Sequence, residues 1–137
     1  MRSASFVTLA CIAMMGVRNA KIELSDRVVV IGLGFIGQMV AQMARLSGAR
    51  VFVTDLRPSR VAAARRLGAG AGMTGTKEEI ADAVKAFSSG VGADVVIICA
   101  SHPRPPEAGI NPEHAPIWEL AAEVVRCLRR RPAVKWA

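Results

Sequence analysis

Two apolar runs stand out along the chain, Val28 to Ile31 (VVVI) and, within the strand read over Asp94 to Ala100 (DVVIICA), the six residues after Asp94. Neither alternates with polar residues and both are rich in β-branched side chains, the pattern of strands buried on both faces in a parallel sheet covered by helices. Around them the apolar period changes. Ile36, Met39, Val40, Met43 and Leu46 recur at spacings of three and four, which predicts a helix from Ile36 to about Leu46 with that face inward and Gly48 just past its end. Val51 to Asp55 reads as a second strand. Pro58 opens the next helix, with Val61, Ala64 and Leu67 inward and Gly68 ending it. A short strand near Ala71 to Thr74 follows. Thr76 with Glu79 three residues on forms a capping box for a helix from Lys77 to about Phe87, whose Ile80, Val84 and Phe87 face the core.

Upstream, Phe6 to Val17 is an apolar run too short to span a bilayer and followed by no convincing cleavage pattern. It reads as a core helix capped by Ser3 or Ser5, with Phe6, Leu9, Ala10, Ala13, Met14 and Val17 on the face that packs against the sheet. Downstream, Ser101 to Pro116 is a loop with five prolines, Ile117 to Leu128 an amphipathic helix, and Pro132 to Ala137 a poor fifth strand or a frayed end. Strands alternating with helices predict an α/β fold, a Rossmann-like doubly wound parallel sheet of order 3-2-1-4, with a fifth strand if the last residues form one. The expected divisions are a lead-in helix and linker (1–26), a core (27–101), the Pro-rich loop (102–116), and a C-terminal helix with a basic tail (117–137).

The stretch from Arg27 to Asp55 carries the chemistry. Gly32, Gly34 and Gly37 have the G-x-G-x-x-G spacing directly after a strand and at the mouth of a helix. In that context the first glycine permits a tight turn, the second lets backbone approach a pyrophosphate, and the third packs helix on strand, the Rossmann-like dinucleotide arrangement. The helix's free N–H groups and positive dipole end then meet the phosphates. A helix of about ten residues descends roughly 15 Å, and a strand of about five residues climbs back a similar distance, so Asp55 returns to the edge that holds the glycine turn. An acid there accepts hydrogen bonds from both ribose hydroxyls and repels a 2′-phosphate, which favours NAD over NADP; Arg57 and Arg60 close behind it soften that preference. Because the chain switches sides between its first and fourth strands, Cys99, Ala100 and Ser101 are placed along the cofactor cleft.

Composition narrows the picture. At 137 residues the chain buries about two-thirds of its unfolded surface, enough for one core and not for a second catalytic domain. Cys11, Cys99 and Cys127 are odd in number and far apart, so they read as buried small apolar residues in a reducing, cytoplasmic compartment. The net charge of +7 is partly gathered in Arg126, Arg129, Arg130 and Arg131. A helix's last turn favours cations, and no aromatic residues are interleaved for base stacking, so nucleic acid is not the expected partner. His102 and His114 with Cys99 and Cys127 match no standard zinc spacing.

The run from Phe6 to Ser101 resembles the nucleotide-binding domain of the medium-chain dehydrogenase/reductase family, the zinc-type alcohol dehydrogenase-like oxidoreductases. GVRNAKI, then RVVVIGLGFIGQMVAQMARLSGARVFVTD, SRVAAARRLGA and GADVVIICAS carry the resemblance, in that order. It implies NAD(P)-dependent hydride transfer with an alcohol or carbonyl substrate, often zinc-assisted. Gly32, Gly34, Phe35, Ile36, Gly37, Asp55, Leu56, Arg60, Cys99 and Ala100 are the cofactor-binding residues expected on these grounds. No catalytic residue carries over, because the family's catalytic domain lies mostly ahead of the nucleotide domain and none of it precedes Met1 here. The family's nearby ligand cysteine falls about at Val7, which binds no metal, so zinc is not expected in this chain; the family's usual glycine before the first strand is Ser25. The expectation is a partial member that binds dinucleotide and needs a catalytic domain or a homo-oligomeric partner, with no membrane involved. A stand-alone NAD-sensing module, like the regulatory domains of potassium transporters, and a non-functional fragment fit the same residues.

Overall fold

Residues 6–100 and 134–136 are described by the computed structural model of the chain. The first apolar run forms β1 (Arg27–Ile31) at the sheet's centre, paired in parallel with β2 (Arg50–Thr54) on one side and β4 (Val95–Ile98) on the other. Val29 stands level with Phe52 and with Val96. β3 (Ala71–Met73) extends the sheet beyond β2, and β5 (Val134–Trp136) pairs in parallel with β4. Among the described residues the order is therefore β3-β2-β1-β4-β5, all parallel, with successive strands added to the other side of β1 from β4 onward, as the sequence predicts.

Alternate residues of a strand face opposite sides of the sheet, and both sides are covered here. Val28, Val30, Val51, Val53 and Ile97 join one cluster with Val40 and Ala44 of α2 (Phe35–Leu46), Val61 of α3 (Pro58–Arg66), and Ala13 and Val17 of α1 (Val7–Asn19). Val29, Ile31, Phe52, Val96 and Ile98 form the other, with Ile80 and Val84 of α4 (Lys77–Phe87). That double cover explains why neither strand has polar alternation. Both hydrogen bonds of the capping box, between Thr76 and Glu79, are present at the start of α4. Gly48 and Gly68, at φ +89° and +106°, end α2 and α3. Each carries the Schellman pair of bonds: Gly48 N–H to Arg45 and Ala49 N–H to Ala44, then Gly68 N–H to Arg65 and Ala69 N–H to Ala64.

Several expected inward positions are corrected. Leu46 is 83% exposed and Leu67 51%; both sit where a helix ends, beyond the reach of the sheet. The rest of the expected α2 face holds: Val40 is fully buried and Ile36, Met39 and Met43 pack half-buried against the core, with the small residues Gly37, Ala41 and Ala44 buried beside them so that the helix lies close. In α1 the buried set is Ala13, Gly16 and Val17, while Phe6 and Met14 are exposed, because the helix packs against α2 through a narrow stripe rather than along its whole apolar side. Phe6 holds its cap position without a side-chain cap; Ser3 and Ser5 lie outside the described residues. Cys11, expected in the core, is exposed on the outer side of α1. Ser25 occupies the left-handed region at φ +70°, where a glycine carries no Cβ penalty. The Pro-rich loop, the helix expected over Ile117 to Leu128, His102, His114, Cys127 and the arginine cluster lie outside the described residues.

Candidate functional site

At the carboxyl end of β1 the chain turns sharply through Gly32 at φ +89°. Its N–H donates to the Thr54 carbonyl at 2.9 Å, tying the turn to β2. A Cβ on Gly32 would stand 2.6 Å from the Ala100 nitrogen, and one on Gly37 would overlap the Gly32 carbonyl oxygen. Gly34 is the contrast. It caps α2 at φ −66°, and a Cβ there would meet nothing of the protein within 4 Å. Two of the three glycines are thus required by the chain's own packing, and the third faces space that a ligand's phosphates can fill.

The first bond of α2 runs from the Gln38 N–H to the Gly34 carbonyl at 3.0 Å, so the N–H groups of Phe35, Ile36 and Gly37 lie ahead of any intrahelical acceptor. No side chain caps this end, and no acidic residue occupies its first turn. Uncapped donors, the positive dipole end and the open space over Gly34 fit a pyrophosphate.

Asp55 lies one residue beyond β2, its side chain 7% exposed. Its Oδ2 accepts the Leu33 N–H at 2.6 Å and its Oδ1 the Arg57 N–H at 2.9 Å. Arg60 Nη1 stands 3.6 Å from Oδ2. The acid therefore joins the glycine turn to the loop ahead of α3, and each oxygen retains acceptor capacity for a further donor such as a ribose hydroxyl.

The other expected residues take different places around the turn. Ala100 closes against Gly32, and the Cys99 Cβ lies 3.3 Å from where a Gly37 Cβ would stand, so β4 delivers both to the back of the turn. Burial pushes the Cys99 thiol up to about 12, and it stays a neutral packing group at ordinary pH. Ile36 is half-buried against the core. Phe35 is exposed and stacks on Phe6 at 5.0 Å between ring centroids. Leu56, at 73% exposure, touches little of the turn's surroundings. Ser101 is outside the described residues.

Sequence reasoning passed over Gln38. Its Nε2 donates to the Arg60 carbonyl at 2.8 Å and, more weakly, to the Leu33 carbonyl at 3.4 Å, while its Oε1 is buried without a partner. It borders a cavity of about 390 Å³ between the starts of α2 and α3, with Leu33, Gly34, Phe35, Ser59 and Arg60 among the other walls. A polar residue directly after the third glycine was the one signal available.

Residues 36–111 match the family model described as zinc-binding dehydrogenase. The chain is 40% identical over 86 residues to D-guloside 3-dehydrogenase of Escherichia coli (strain K12), covering 62% of this chain and 25% of that protein. Among solved structures, zinc dependent alcohol dehydrogenase 2 from Streptococcus pneumonia is 25% identical with a TM-score of 0.63, over 69% of this chain and 28% of that one. An alcohol dehydrogenase from Thermus sp. ATN1 superposes with a TM-score of 0.70 over 94% of this chain and 36% of that one, and at 22% identity it attests the fold alone. The chain spans about a quarter of the length of the curated relative it matches.

Proposed function

The chain belongs to the zinc-binding dehydrogenase family, and from that premise we propose that it is the NAD(H)-binding part of an alcohol dehydrogenase-like oxidoreductase. The observation that carries the proposal is the contrast within the glycine turn: Gly34 opens onto empty space above an uncapped helix, while Gly32 and Gly37 are closed by their neighbours. The bound dinucleotide supplies the hydride carrier for an alcohol or carbonyl substrate. The chain's own residues bind and orient it. The N–H groups at the start of α2 take the pyrophosphate, the Asp55 carboxylate takes the adenosine ribose hydroxyls, and Ala100 with Cys99 forms the wall behind the turn.

Asp55 favours NAD over NADP because a 2′-phosphate would bring a second negative charge against a largely buried carboxylate. Arg60 tempers that repulsion from 3.6 Å. Substrate activation, including any zinc, falls to a catalytic domain outside these residues. Fluorescence titration with NADH and NADPH tests the reading. Saturable NADH binding is expected, with weaker NADPH binding, and Asp55→Asn narrows the ratio by about tenfold, equivalent to ~1.4 kcal/mol. A ratio that Asp55→Asn leaves unchanged removes the role assigned to the acid.

A further inference from the structure

Gln38 stands on the first turn of α2, yet its firmest side-chain bond crosses to another element. Nε2 donates to the main-chain carbonyl of Arg60, in the first turn of α3, at 2.8 Å. The amide orientation is fixed by its surroundings: two carbonyl oxygens, those of Arg60 and Leu33, face Nε2, and a reversed amide would set Oε1 against both. As it stands, Oε1 is buried with no donor. An unpartnered buried carbonyl is unfavourable, so an apolar side chain of the same length is the better choice for stability alone. The amide is accounted for by its N–H donors, which span from the glycine turn to the start of α3.

What those donors hold is the backbone of the residue whose guanidinium lies 3.6 Å from Asp55. The Arg60 side chain is 43% exposed and long, and an exposed ion pair contributes little by itself, so where the guanidinium stands depends also on where α3 sets the Arg60 main chain. We propose that Gln38 is a positioning residue for cofactor choice: by fixing the Arg60 main chain it keeps the guanidinium beside Asp55, where it offsets the carboxylate's repulsion of a 2′-phosphate and narrows the preference for NADH. This rests on the dinucleotide site proposed above. Gln38 acts through Arg60, with Asp55 as the group whose field is tempered. At this corner Asp55 and Arg60 bring their charged side chains together, and Arg57 contributes its main-chain N–H to the same carboxylate.

Gln38→Met tests it, because methionine keeps the length and the helix propensity and removes both donors and the unpartnered oxygen. In the full chain, NADH and NADPH affinities are measured for the wild type, Gln38→Met, Arg60→Ala and the double variant, alongside the thermal midpoint of each. The expected result is an NADH-to-NADPH preference widened about threefold by Gln38→Met, the scale of one partly exposed ion pair, with its midpoint kept or raised. Arg60→Ala is expected to widen the preference as well, and the double variant to match Arg60→Ala, since the amide has no guanidinium left to place. A preference untouched by Gln38→Met overturns the proposal, and so does a change that persists in full in the Arg60→Ala background. A lowered midpoint with an unchanged preference assigns Gln38 a structural role only. Loss of binding for both dinucleotides in the wild type would instead strike the underlying site, a result distinct from the other outcomes.

Discussion

Gly37 sits where a single added methyl group has no room. A Cβ there would overlap the Gly32 carbonyl oxygen and press on Cys99, so the contact is with backbone and cannot be relieved by rotating a side chain. Gly37→Ala is therefore expected to destabilise the fold by about 3 kcal/mol or more, at the upper end of overpacking effects. Chemical denaturation checks this, and a variant within about 1 kcal/mol of wild type would show that the turn relaxes more readily than its packing indicates. At this scale the sequence was highly legible, since the glycine spacing and the acid at position 55 marked both halves of the candidate site. The same reasoning missed Gln38, whose partner is a main-chain carbonyl 22 residues away and leaves no trace in composition or spacing. It also placed Cys11 in the core, because the number and separation of the cysteines say nothing of which side of its helix each one occupies.

Among the elements, β1 and β4 are joined ahead of their pairing as well as along their lengths, through Arg27 at the start of β1 and Asp94, the residue before β4. Arg27 donates through Nε and Nη2 to the two oxygens of Asp94, at 2.7 and 3.0 Å, and its main-chain N–H reaches Oδ2 at 2.9 Å. The Arg27 guanidinium holds the Asp94 carboxyl below the usual carboxylate range, against an opposing push from burial. A carboxyl lowered in the folded state contributes stability above its unfolded value, near 3.9, and that contribution is lost as pH falls through the folded one. At neutral pH, Asp94→Asn is expected to lower stability by about 2 kcal/mol, the worth of charge-assisted bonds at a partly buried pair. Below about pH 4 the gap between variant and wild type should close as the wild-type carboxyl protonates. Denaturation curves across that range decide it, and a gap independent of pH would mean that packing, and not charge, joins the strands. β1, β2 and β4, the start of α4 and the ends of α2 and α3 were readable because each has a local cause: β-branched runs, a capping box and terminal glycines. The Arg27–Asp94 pair was not, since its members stand 67 residues apart and meet only once the sheet has formed.

For the molecule as a whole, the parallel order β3-β2-β1-β4-β5 gathers the carboxyl ends of β1, β2 and β4 at one edge, which brings Gly32, Asp55 and Ala100 to the same corner. That convergence was legible because parallel strands joined by covering helices leave few topologies open. Among the described residues no helix is long and apolar enough to cross a membrane. Leu46, Leu67 and Met14 escaped correct placement because their exposure depends on where the sheet and α2 end, a property of the assembled layers. If the open corner over Gly34 is a dinucleotide site, a methyl group placed in it by Gly34→Ala should obstruct the ligand and leave the fold intact. The Gly34 backbone at φ −66° accepts alanine and the Cβ meets no protein atom, so stability should change by no more than about 1 kcal/mol, the scale of altering a helix cap. Calorimetric titration of wild type and Gly34→Ala with NADH is the decisive measurement. The expected result is saturable binding by the wild type and at least about tenfold weaker binding by the equally stable variant, or ~1.4 kcal/mol; equal NADH affinity in both would mean that the corner over Gly34 holds no dinucleotide.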